Sequence, residues 1–339
     1  MNLRLSTFRL STAIIFALTA VPAFAQDPPV TDAPAKDMPA KDVPANVEPA
    51  IPATPVAGSQ ASPALRAQIL LERAWFSPGE IDGQWGSKSR KALAAFQQAK
   101  GLTVTGELDD ASSAALDMDG AAALVNYTIT AADVDGPFVK TPSSTAAKAK
   151  MKSIAFQSAA EALGEKFHAS PALLRKLNPG VAMDKSGGTL VVPNVMDMAP
   201  LVMASKIIVD KSDSALRLFD AQGNVYAHFP ITSGSSEFPL PIGDWAIESI
   251  APNPTYSYDP ALIAGADKSD PKAQLPPGPN GPVGTMWIGI SKPHYGIHGT
   301  PEPGMIGRSQ SSGCVRLTNW SANAVSEAVS VGMVVSMQE

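Results

Sequence analysis

Ser311-Ser312-Gly313-Cys314-Val315-Arg316 contains the only cysteine of this 339-residue chain. Upstream, Tyr295-Gly296-Ile297-His298-Gly299-Thr300 supplies an imidazole. A thiol is a strong nucleophile only as the thiolate, and a neighbouring imidazole is the common means of generating one. A free cysteine can also be a small buried hydrophobe. The flanking residues favour chemistry: serines and glycine on one side and Val-Arg on the other read as a loop rather than an apolar core strand.

The N-terminus says where that chemistry takes place. Arg4 and Arg9 precede a mostly apolar run from Leu10 to Val21, and Ala23-Phe24-Ala25 offers a small-x-small cleavage site. This pattern predicts a secretory signal peptide over residues 1–25, cleaved after Ala25, and a periplasmic mature protein. The apolar run is about half of what a bilayer requires, so no membrane span is expected in the mature chain. Thiols tend to be paired in an oxidising compartment, yet Cys314 has no second cysteine in the chain. We read it as a tool. A net charge of −5 argues against a nucleic-acid partner, whose phosphates demand a basic patch.

Residues 26–62 form a Pro/Ala-rich stretch without apolar periodicity, expected to be an extended, semi-rigid spacer. Over 63–118, Leu65, Ile69, Leu70 and Ala74 recur at helical spacing before Ser77-Pro78-Gly79 interrupts the chain. Ser87 is expected to cap a second helix carrying Leu93, Phe96 and Gln97, which stops at Gly101. A short third helix passes through Ala115 and Leu116. The run from Ile81 to Asp109 resembles the three-helix peptidoglycan-binding domain of cell-wall enzymes. In 125–196, a strand at Tyr127–Thr130, helices at Ala159–Phe167 and after Ser170-Pro171, and a strand at Gly188–Pro193 give a β-α-α-β order. This module resembles a lysin motif with about twenty extra residues (131–152) after its first strand, and His168 reads as a helix-terminal surface residue. Together these resemblances imply glycan strands as a partner.

From Ser205 the apolar period becomes alternating, as in Ala215-Leu216-Arg217-Leu218-Phe219 and Val225-Tyr226-Ala227-His228-Phe229. Gly243–Ile250 and Met286–Ile290 follow, and a helix from Trp320 to Val329, capped by Thr318 or Asn319, precedes a last strand at Met333–Ser336. The fold class is therefore multidomain: a mostly antiparallel β-domain with one short helix, preceded by a three-helix domain and a βααβ module. His228 reads as structural.

"PLPIGDW", "PNPTYSYDP", "GPNGPVGTMWIGIS", "YGIHGTPEP" and "SSGCVRLTNW" occur in the order and spacing of the L,D-transpeptidase catalytic domain, which 203–338 resembles throughout. The resemblance implies Cys314 as the acyl-accepting nucleophile, His298 as its base and the Gly299 carbonyl as the group orienting the imidazole. It implies that Arg316 holds a substrate carboxylate or the loop, and that Gly313 and Cys314 N–H groups cradle the oxyanion. Ser311, Ser312 and Tyr295 complete the implied substrate contacts. Ser312 stands where many members have a second histidine, and Gly281 where asparagine is common.

The implied reaction acylates Cys314 with a peptidoglycan stem peptide and transfers it to an amine of a second stem or of an outer-membrane protein. It requires no cofactor and no metal. A thiol hydrolase trimming the same stems uses the same residues, and a non-catalytic wall-binding protein is the remaining alternative. Serine-transpeptidase strings occur as Ser269-Asp270-Pro271-Lys272, Ser321-Ala322-Asn323 and Lys185-Ser186-Gly187, but in the wrong order and in different predicted regions. The four histidines form no HxxE or HxH zinc cluster.

Overall fold

The computed structural model describes residues 54–55 and 61–339, except 264. The expected signal peptide, and most of the expected spacer, lie outside the described residues. Two spacer residues are structured. Thr54–Pro55 (β1) pairs antiparallel with the first strand of the βααβ module, Thr54 opposite Asn126.

In the helical domain, α1 spans Pro63–Arg73, with Ser62 Oγ accepting the Leu65 N–H at 3.3 Å and proline in the first turn. Helix α2 covers Ser87–Ala99 and α3 covers Asp110–Leu116, the latter capped by Asp109. Ser87 does not cap α2. It is the first helical residue, and Gly86 occupies the cap without a side-chain bond.

The second module runs β2 (Leu124–Thr128), α4 (Ala131–Val134), α5 (Thr145–Lys148), α6 (Ala159–Lys166), α7 (Pro171–Leu177) and β3 (Thr189–Pro193). β2 pairs antiparallel with β3, so the β-α-α-β order holds, with α4 and α5 inside the inserted segment. The two N-terminal regions are not separate bodies. Leu65, Ile69 and Ile81 of the helical domain share one buried core with Tyr127, Phe167 and Leu190 of the βααβ module. The helical domain also keeps a buried cluster of its own around Leu71, Leu93 and Phe96, so the shared core joins the two regions.

The third region contributes β4 (Lys206–Asp210), β5 (Ala215–Phe219), β6 (Val225–Pro230), β7 (Gly243–Pro252), β8 (Tyr256–Tyr258), β9 (Ala273–Leu275), β10 (Met286–Ile290), β11 (Gly296–His298), β12 (Val315–Arg316), α8 (Asn319–Glu327) and β13 (Val334–Gln338). Eight of these strands form one sheet in the order β12-β11-β10-β7-β13-β4-β5-β6, while β8 and β9 make a separate hairpin. Neighbours are antiparallel except β11–β12 and β13–β4. Period-two burial is clear in β4, where Ile207 and Val209 are fully buried and pack with Leu216, Leu218 and Phe229. Helix α8, capped by Thr318, lays Ala322 and Val325 onto the same core.

The outer edge of β6 is covered by the helical domain. His228 N–H donates to the Trp75 carbonyl at 2.8 Å, and Ser77 N–H donates to the His228 carbonyl at 2.8 Å. An open edge invites pairing with other chains, and this contact removes it. His228 is buried beneath the contact, as a structural residue should be.

Candidate active site

The parallel pairing of β11 with β12 builds the site. Its register sets Ile297 opposite Val315 and His298 opposite Arg316, so Cys314, one residue before β12, enters beside Gly296. Parallel neighbours need a long connection, and residues 299–314 supply it as a loop that ends in Cys314. His298, Cys314 and Arg316 line one cleft of about 600 Å³ together with Ser311, Ser312 and Tyr256.

His298 is buried, and its Nδ1 lies 2.7 Å from the Gly299 carbonyl oxygen. A carbonyl can only accept, so Nδ1 carries the proton and Nε2 is left with a lone pair. Trp287 stacks on the ring with centroids 5.6 Å apart and planes 20° from parallel. That stacking depends on Gly296, where an added Cβ would fall 2.6 Å from Trp287 Cζ2. Burial, reinforced by the Arg316 charge, pushes the imidazole down to about 4 against the opposing Gly299 bond. His298 is thus a neutral base at physiological pH.

Cys314 is half-buried. Burial pushes its thiol up, while the Gly296 N–H and the Arg316 charge oppose that rise by favouring the thiolate. The resting pair is therefore thiol and imidazole rather than a preformed ion pair. In this conformation the thiol points to the His294 carbonyl at 3.7 Å. Tyr256 senses the same charges: burial and then the Cys314 charge push its hydroxyl up to about 12, with Arg316 acting against them.

The loop before Cys314 is held from inside. Ser311 Oγ donates to the Cys314 carbonyl at 2.6 Å and accepts the Gly313 N–H at 3.2 Å. The expected pair of oxyanion donors is thereby reduced, because the Gly313 N–H is already committed to Ser311. Tyr295 packs on Gly313 rather than lining the cleft: a Cβ at 313 would lie 2.3 Å from Tyr295 Cε1. Arg316 Nη1 reaches the Gln310 carbonyl at 3.4 Å, so it secures the loop, and it also faces the cleft.

Of the residues the sequence reading grouped into one site, Cys314, His298, Arg316, Ser311 and Ser312 line this cleft, while Gly299 bonds to His298 and Gly313 to Ser311. The sequence reading missed Trp287, Tyr256 and His294. The signal for the first two was present, since both fall in quoted motif stretches with aromatic residues at strand positions. His168 departs from its surface reading: it is half-buried, stacked on Trp320 and within bonding distance of Glu72. Among the described residues no cluster of His, Cys, Asp and Glu could hold a metal ion, and no helix is long and apolar enough to cross a membrane.

Residues 204–337 match the family described as "L,D-transpeptidase catalytic domain", and residues 61–116 match the "Putative peptidoglycan binding domain" family. A Bacillus licheniformis protein named "Putative L,D-transpeptidase YkuD" is 27% identical over 179 residues, covering 52% of this chain and 92% of its own length. Its Bacillus subtilis namesake is 29% identical over 154 residues, 45% of this chain and 77% of its own. Among solved structures, an L,D-transpeptidase from Xylanimonas cellulosilytica aligns over 86% of this chain and 100% of that one, with 18% identity and a TM-score of 0.37. Residues 204–337 thus form an L,D-transpeptidase catalytic domain, with a peptidoglycan-binding domain ahead of it.

Proposed function

We propose that this protein is a cysteine-dependent L,D-transpeptidase acting on peptidoglycan outside the cytoplasm, in the periplasm after removal of a signal peptide. The observation that carries the reading is the convergence of Cys314 and His298 in one cleft, with the imidazole tautomer fixed by Gly299. His298 Nε2 takes the thiol proton as Sγ attacks a stem-peptide carbonyl, and returns it to the departing amine. The C–N bond breaks as the thioester C–S bond forms. An incoming amine then attacks the thioester, loses its proton to His298 and releases Cys314.

Gly296 N–H and Arg316 support the sulfur as it gains charge. The helical domain and the βααβ module hold the wall, the second as a lysin-motif-like element, so the acceptor amine belongs to a neighbouring stem or to a protein lying on the wall. Water competing for the same thioester gives trimming instead of transfer, and exclusion of water decides between the two.

The test incubates the full chain with disaccharide-tetrapeptide, with and without an acceptor stem, and weighs products and protein. A thioester adduct on Cys314 and a cross-linked dimer support the reading. Product formation by Cys314→Ala ends it.

A further inference from the structure

Part of the cleft wall comes from outside the catalytic domain. The segment inserted after β2 leaves its own module and attaches to the loop between β9 and β10. Ile154 N–H donates to the Pro277 carbonyl at 2.9 Å, and Asn280 N–H donates to the Ile154 carbonyl at 3.0 Å. Asn280 Nδ2 adds a bond to the Ala155 carbonyl at 3.1 Å, and Ile154 is fully buried at this junction. So anchored, α5 packs against β9 of the β8–β9 hairpin. Thr145 and Lys148, both on α5, thereby enter the lining of the cleft that contains Cys314.

The charges in that lining are lopsided. Its one carboxylate, Asp259, is already held by Lys272 Nζ at 2.6 Å. Its cations are Lys148 and Arg316, on walls contributed by different modules. Lys148 is half-buried and, among the described residues, has no carboxylate within ion-pair distance. A chain of net charge −5 therefore presents a cationic reaction cleft. Long-range attraction of an anion to an acidic protein is weak, so the preference must come from contacts inside the cleft.

We propose that Lys148 is a specificity residue of this cleft: its ammonium pairs with a side-chain carboxylate of an acidic peptide donor lying across Cys314. The inserted segment is then a substrate-reading arm, which makes the βααβ module part of the active site rather than only a wall anchor. This rests on the transpeptidase reading for the identity of the donor, a stem peptide. A charge-assisted contact in a half-buried cleft discriminates by about tenfold between a carboxylate and its neutral amide.

The experiment measures equilibrium binding of a stem tetrapeptide, and of the same peptide with its side-chain carboxylates amidated, to full-length protein carrying Cys314→Ala. The free-acid peptide is expected to bind about tenfold more tightly. Adding Lys148→Met should bring the two affinities within about twofold, and Lys148→Arg should keep the preference. Persistence of the preference in Lys148→Met, or its absence from the parent protein, overturns the proposal. Acylation of Cys314 by the free-acid peptide in the otherwise unaltered chain is weighed separately. A missing adduct with a Lys148-dependent preference defeats the reaction and leaves the binding role standing, and the converse result defeats only the role of Lys148.

Discussion

His168 lies face to face with Trp320, ring centroids 4.9 Å apart and planes 9° from parallel, while its Nδ1 sits 2.8 Å from Glu72 Oε1. One imidazole thus joins α1 of the helical domain, the turn between α6 and α7, and the start of α8 in the catalytic region. Glu72 is almost fully buried, and its other oxygen has no hydrogen-bond partner. His168→Ala leaves that carboxylate without a donor and uncovers Trp320. Breaking such a contact is expected to cost about 2–4 kcal/mol, from the orphaned polar group and the lost ring pair. Urea unfolding followed by tryptophan fluorescence and by far-ultraviolet circular dichroism checks it. Coincident transitions, both shifted in the variant, are the expected result, and an early transition of the helical domain alone would contradict the coupling.

Gly313→Ala probes the loop that carries Cys314. Residue 313 has φ +100°, and a Cβ there collides with the Tyr295 ring. Both the strained backbone and the collision push Cys314 away from the base, at a cost of about 1–3 kcal/mol in local strain. Acylation should fall by about 100-fold or more, since misplacing a reacting atom by about 1 Å costs that much. The thermal midpoint should move far less than the rate, because the loop carries little of the core. A variant acylating at the normal rate would show that the loop rearranges without consequence.

Most of the catalytic β-domain was readable because its strands obey period two and its turns are marked by glycine, asparagine and proline. Cys314 and His298 stood out because a lone cysteine and a glycine-flanked histidine are rare features. The remainder depended on partners far away in sequence. Nothing around Thr54–Pro55 signals a strand, since its pairing is supplied by Asn126 and Val125. His168 looked exposed because local pattern cannot see Glu72 or Trp320. Lys148 sits in a segment without apolar periodicity, and only its anchoring through Ile154 and Asn280 brings it to the cleft.

The protonation states of His298 and Cys314 give a pH signature. With His298 pushed down to about 4 and the Cys314 thiol pushed up, no imidazolium is present near neutrality to stabilise a thiolate. Iodoacetamide alkylation of Cys314 should therefore keep rising with pH beyond the ordinary cysteine range, without a plateau between pH 6 and 8. His298→Ala should slow enzymatic acylation by roughly 100- to 10,000-fold, the usual scale of general-base assistance. A plateau of alkylation near neutral pH that disappears in His298→Ala would instead reveal a preformed ion pair.

Glu165 lines a second cleft with Glu80, Glu161, Arg175 and Asn319. Burial pushes its carboxyl up to about 8, with Glu161 and Glu80 adding to the rise and a bond to Asn319 opposing it. The folded protein then holds a proton on Glu165 that the unfolded chain has released above its ordinary carboxylate range. Between pH 4.5 and 8 the native state binds more protons, so the contribution of this group to stability falls as pH rises. His298 works in the opposite sense, its depressed value costing stability as pH falls from 6.5 towards 4. The two partly offset each other in weak acid, and only the Glu165 loss continues above pH 6.5. Glutamine copies the protonated carboxyl in shape without ionising. Glu165→Gln should therefore match the parent near pH 4.5 and exceed it in melting temperature by an amount that grows up to about pH 8 and then levels. Melting curves at half-unit pH intervals give the answer, and a difference independent of pH would show that Glu165 is ionised throughout.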